Sequence, residues 1–193
     1  DWGQRERSYI RENLYGATNL KPDARTRYWI RIWHVISHGT IPLTGLTWHA
    51  DYEIPFRFFF PANNVAVYDH LAADEKLYAS VKLVFLTGKK ISKPCMETLA
   101  KLAERGLVVV TPGHLAPKGM ALAGDAAFAE YATGRGKWIV TDDVTHPAVR
   151  ALLAPYLGRE DRLRYVFGET EVIFTAPKDP DRIEVDLGTV RIK

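Results

Sequence analysis

Residues 107–111 read Leu-Val-Val-Val-Thr, an unbroken run of mostly β-branched side chains bounded by Gly106 and Pro112. A run of that length, without polar alternation, fits a strand buried on both faces, and strands of that kind belong to parallel sheets covered by helices. Three further runs share the character: VAVYD at 65–69, VKLVFLT at 81–87 and KWIVT at 137–141. Between the second and third in chain order, the spacing predicts a helix from about Lys93 to Arg105. Ser92 is placed to cap it and Pro94 falls in its first turn. Met96, Leu99, Leu102 and Ala103 form one stripe, and Gly106 stops it. Two more helices are expected, over 124–132 and 147–157. The latter has Pro147 early, Val149, Leu152, Leu153 and Tyr156 inward, and Gly158 at its end. Strands and helices that alternate in this way define an α/β domain.

The two ends of the chain read differently. After Leu163, the short runs RYVF, EVIFT, RIEVDL and TVRIK are separated by turn-forming residues and predict antiparallel hairpins. Before residue 50 stand four of the five tryptophans. There, residues 7–12 suit a short strand, 13–22 a loop and 43–49 another strand. Between them lies a helix that starts near Pro22 and Asp23, with Trp29, Ile32, Trp33 and Ile36 as its apolar stripe and Gly39 past its end. Strand, loop, helix, strand is the order of a β/α crossover unit. Residues 50–62, with Phe58, Phe59 and Phe60 between Pro55 and Pro61, read as a connection. The expected units are therefore 1–62, 63–162 and 163–193.

Composition removes several classes of function. The chain has 193 residues, 47% hydrophobic and 25% charged, which are globular proportions. No apolar run approaches the length of about 18 residues that a membrane helix requires, so no membrane partner is expected. The formal charge is only +3 and the basic residues are scattered, so no nucleic-acid partner is expected. A single cysteine, Cys95, excludes an internal disulfide and a cysteine zinc site. Thr133-Gly134-Arg135-Gly136-Lys137 lacks the pattern of a phosphate loop and reads as a turn before a strand. The start at Asp1-Trp2, without Met, is read as the interior of a longer protein or as a chain whose leader has been removed, and no compartment is assigned.

The chemistry-bearing stretch runs from Glu12 to Trp48. It contains Glu12, then Ala17-Thr18-Asn19, then Trp29-Ile30-Arg31-Ile32-Trp33, then Ser37-His38-Gly39, then Leu46-Thr47-Trp48. In order and rough spacing this resembles the end of the catalytic barrel of glycoside hydrolase family 42, the β-galactosidases. The resemblance covers about a quarter of the chain. The second half is similar to the glutamine-amidotransferase-like domain that follows the barrel in that family, through VKLVFLTGKKIS, Leu99-Ala100-Lys101-Leu102 and Glu104-Arg105-Gly106-Leu107-Val108-Val109-Val110. The implied fold is the end of a (β/α)8 barrel, then a flavodoxin-like parallel-sheet domain, then a small antiparallel β segment. One departure is that only about a dozen residues separate VAVYD from VKLVFLT, where family members carry a further helix and strand.

The resemblance implies that Glu12 is the nucleophile of a retaining glycosidase, at a strand end where β/α barrels place their sites. Such a site needs a second carboxylic acid about 5–5.5 Å away. In the family it comes from an earlier strand, so the expected partners are a carbohydrate substrate, the remaining barrel segment (from the same protein or another chain) and further copies of the chain. Trp48 would offer an aromatic face to a sugar ring, and His49, Asp51 and Glu53 would hydrogen-bond its hydroxyls. Equally, Trp48 suits a core, and Asp51 and Glu53 suit a solvated loop. No cofactor is implied. His34 and His38, four apart, with His49 and Asp51 make a conceivable metal set, but the Glu of His-Glu-x-x-His is missing and no metal is expected. Cys95 lacks the flanking glycines of an amidotransferase elbow and reads as inert. The expected function is the C-terminal portion of a retaining glycoside hydrolase. The alternative is a non-catalytic carbohydrate-binding or oligomerisation module, and a third option is a hydrolase using Cys95.

Overall fold

In a computed structural model, the structure describes residues 24–39, 43, 69–158, 162–175 and 189–192. Helix α1 spans Ala24–Ile36. Its inward stripe is Tyr28, Ile32 and Val35, spaced i, i+4, i+7, and all three are buried. The stripe expected from the sequence is turned by about one residue. Trp29 and Trp33 stand half-buried on the flank, packed edge to face with centroids 5.6 Å apart. A large ring with a polar N–H suits a flank that keeps contact with water, whereas the slimmer side chains fit against a sheet. The helix stops where expected. Gly39 has φ 88° and its N–H donates to the His34 carbonyl at 2.8 Å. His38, just before it, also has a positive φ of 50°. Its ring Nε2 donates to the carbonyl of Gly158 at 2.6 Å, which ties this turn to a point 120 residues further on.

After the short helix α2 (Asp69–Ala72) and a 3-10 turn at Glu75–Tyr78, strand β1 (Leu83–Phe85) enters a sheet. Helix α3 follows at Lys93–Arg105. Both ends are written in the sequence: Ser92 accepts from Cys95 N–H, Pro94 stands in the first turn and Gly106 closes the helix at φ 124°. Next come β2 (Val108–Thr111), β3 (Ala129–Thr133), β4 (Gly136–Val140) and helix α4 (Pro147–Leu153), which runs on into a 3-10 turn. The sheet order is β1-β2-β4-β3. β1, β2 and β4 are parallel, while β3 pairs antiparallel with β4. The chain is thus mixed α/β, with a mostly parallel four-stranded sheet.

Alternate residues of the central strands feed two cores. Val108, Val110 and Ile139 meet α1 and α4 through Tyr28, Ile32, Val35, Val149 and Leu153. Val109, Trp138 and Val140 meet α3 through Cys95, Leu99 and Ala103. Every residue of β2 is buried, as its unalternating sequence requires. Each fully buried aliphatic side chain contributes about 1.5–3 kcal/mol. Helix α1 is therefore built into the same core as the sheet. The expected unit boundary at 62–64 lies outside the described residues.

One expected helix is corrected. Residues 129–132 of the expected 124–132 helix lie in strand β3 (Ala129–Thr133), and the residues before it are irregular. Ala-rich composition favours a helix locally. The hairpin overrides it, since Thr133 pairs with Gly136 across a two-residue loop whose first member, Gly134, has φ 62°. A glycine with positive φ at that position matches the twist of paired strands. Ala129 and Tyr131 then face the α3-side core, as their burial alternation shows. Similarly, Asp69, expected at the end of a strand, starts α2. Of the expected C-terminal strands, RYVF, EVIFT and TVRIK fall in a second, antiparallel sheet of β5 (Arg162–Phe167), β6 (Thr170–Thr175) and β7 (Thr189–Ile192), while RIEVDL lies outside the described residues. The expected strands at 7–12 and 43–49 lie outside the described residues, apart from Leu43 in an exposed turn.

Candidate functional site

Parallel strands deliver their loops to one edge, and in open α/β sheets ligands bind at the carboxyl ends. Here that edge gathers Thr87–Lys90 after β1, Pro112–His114 after β2 and Thr141–His146 after β4. Its polar groups are largely spent on each other. Asp142 Oδ1 accepts from Gly113 N–H at 2.9 Å. His114 Nε2 donates to the Gly88 carbonyl at 2.9 Å. Asp143 Oδ1 accepts from the backbone and hydroxyl of Thr145, at 2.9 and 2.5 Å. Thr141 Oγ1 donates to the Ala127 carbonyl and accepts from Asp143 N–H. His146 Nδ1 accepts from Ala148 N–H, capping α4. Arg31 reaches over from α1, donating to the Asp142 carbonyl at 3.2 Å and pairing with Asp143 at 3.6 Å.

These bonds brace three loops and two helices, α1 and α4. Tyr28 lies beneath this edge in the α1 core. Its hydroxyl is buried without a hydrogen-bond partner, and its pKa is pushed far above the ordinary value, first by burial and then by the charges of Asp142 and Asp143. A phenol held neutral in this way is not set up as a base. The sequence signal for this edge was available, because Pro112-Gly113-His114 and Asp142-Asp143 directly follow the apolar runs at 107–111 and 137–141.

On the opposite side of the sheet, a cavity of about 300 Å³ opens between α3 and the β3–β4 hairpin, lined among others by Met96, Ala100, Met120 and Trp138. Tyr131 holds the loop above it, with its hydroxyl bonded to both the N–H and the carbonyl of Ala121.

Glu12, Trp48, His49, Asp51 and Glu53 all lie outside the described residues. Cys95 is only 2% exposed, within the first turn of α3 and packed with Leu99 and Ala103. His38 is engaged with Gly158, and no three metal-ligating side chains come together among the described residues. Nor is any helix among them long and apolar enough to cross a membrane. In comparisons with known proteins, no family model, curated protein or solved structure matches this chain.

Proposed function

We propose that this chain is the C-terminal portion of a retaining glycoside hydrolase acting on a β-galactoside-type carbohydrate, with its α/β part serving as a non-catalytic module of amidotransferase-like, flavodoxin-like build. The catalytic half of this reading rests on the ordered motifs from Glu12 to Trp48, which resemble the last units of a (β/α)8 barrel. The observation that carries the modular half is the state of the α/β part itself. Its one thiol is sealed in the core, and Asp142, His114, Asp143 and Thr145 at its sheet edge are engaged in bracing loops. An amidotransferase reaction needs an accessible, activated thiolate, and Cys95 does not meet that need.

In this reading Glu12 attacks the anomeric carbon and forms a glycosyl-enzyme intermediate. A second carboxylic acid, from a barrel segment beyond this sequence or from a partner chain, protonates the leaving group and then activates water. Trp48 stacks on the sugar, and His49, Asp51 and Glu53 bind its hydroxyls. No cofactor takes part. Self-association into a homo-oligomer belongs to the same proposal.

A second reading is a non-catalytic carbohydrate-binding or oligomerisation module. It is favoured by α1, whose inner face is committed to the α/β core and so is not spare for packing on a barrel. The deciding experiment is hydrolysis of an aryl β-galactoside by the complete assembly carrying Glu12→Gln. Loss of turnover with unchanged circular dichroism supports the nucleophile. Undiminished turnover rejects it, and saccharide binding without any hydrolysis by the unaltered protein supports the module.

A further inference from the structure

We draw no further inference here: the strongest candidate, the cavity of about 300 Å³ between α3 and the β3–β4 hairpin, carries nothing, because the two partnerless polar groups in its lining residues, Thr133 Oγ1 and Trp138 Nε1, are sealed from solvent-sized space and nothing in the structure shows what covers it.

Discussion

Replacing Gly136 by Ala tests how tightly the hairpin is seated on α3. A Cβ at this position would meet Leu107 O, Ala103 O and Gly106 C, all closer than 3.0 Å, with the last at 2.9 Å. All three are backbone atoms at the end of α3 and the start of β2, so no flexible side chain can swing aside. Added methylenes in packed cores cost about 1–3 kcal/mol where neighbours can yield. Here the hairpin itself must lift. That strains two backbone bonds, Arg135 N–H to Glu104 O at 3.0 Å and Lys137 N–H to Leu107 O at 3.3 Å, each contributing about 1 kcal/mol. The expected loss is about 3 kcal/mol or more. For a chain of this size that lowers the Tm by roughly 6–12 °C, or the urea midpoint by about 1.5 M at a slope of about 2 kcal/mol/M. Gly124→Ala serves as the control. Unlike Gly136, it has a positive φ, 52°, but nothing lies within 4 Å of the new Cβ, so only the left-handed backbone cost of about 1–2 kcal/mol applies. If Gly136→Ala proves no more destabilising than Gly124→Ala in urea unfolding, the close approach of hairpin and helix is wrong.

Tyr28→Phe removes a buried hydroxyl that has no partner, so it should raise stability by about 1 kcal/mol in the same assay. The raised phenol pKa adds a pH dependence. The folded state keeps the proton while the unfolded chain releases it above its ordinary pKa of 10.0, so stability present below that pH is lost as the pH rises through it. Alkaline unfolding of Tyr28→Phe should show a shallower decline, and an unchanged slope would refute the burial. Thr98→Val deletes the bond from Thr98 Oγ1 to the Ala73 carbonyl at 3.0 Å, and should cost about 1 kcal/mol in thermal unfolding. Arg31→Ala breaks an ion pair whose side chains are 37% and 43% exposed. Its cost should stay below about 1 kcal/mol and shrink with added salt; a larger, salt-independent loss would contradict the surface geometry.

Where the sequence carried a strong local signal, structure followed it closely. Ser92, Pro94 and Gly106 fix both ends of α3 through capping bonds that depend on neighbouring residues alone. The apolar run at 107–111 predicted a doubly buried parallel strand, because no half-exposed strand tolerates that pattern. The failures came where tertiary contacts outweigh local preference. Residues 129–132 carry two alanines, yet pairing with β4 makes them a strand. In α1 the tryptophans looked like the core-facing stripe, but the space against Val108 and Val110 selects Tyr28, Ile32 and Val35. The bracing at the sheet edge was hidden for a different reason. Gly113 and Asp142, or Gly88 and His114, become neighbours only once β1, β2 and β4 stand side by side. No periodicity within one segment reports such a meeting.

The seating of α1 bears on how the protein can be dissected. A fragment starting at residue 63, the natural cut from composition alone, would keep α4 but strip α1 from Val108, Val110 and Ile139 on that side of the sheet. It would also remove the His38 anchor from Gly158. Such a piece should aggregate or melt early, whereas one that keeps the residues from Ala24 onward retains its lid of Tyr28, Ile32 and Val35. For this protein, the minimal folding unit reaches back at least to Ala24, into the tryptophan-rich stretch before residue 50.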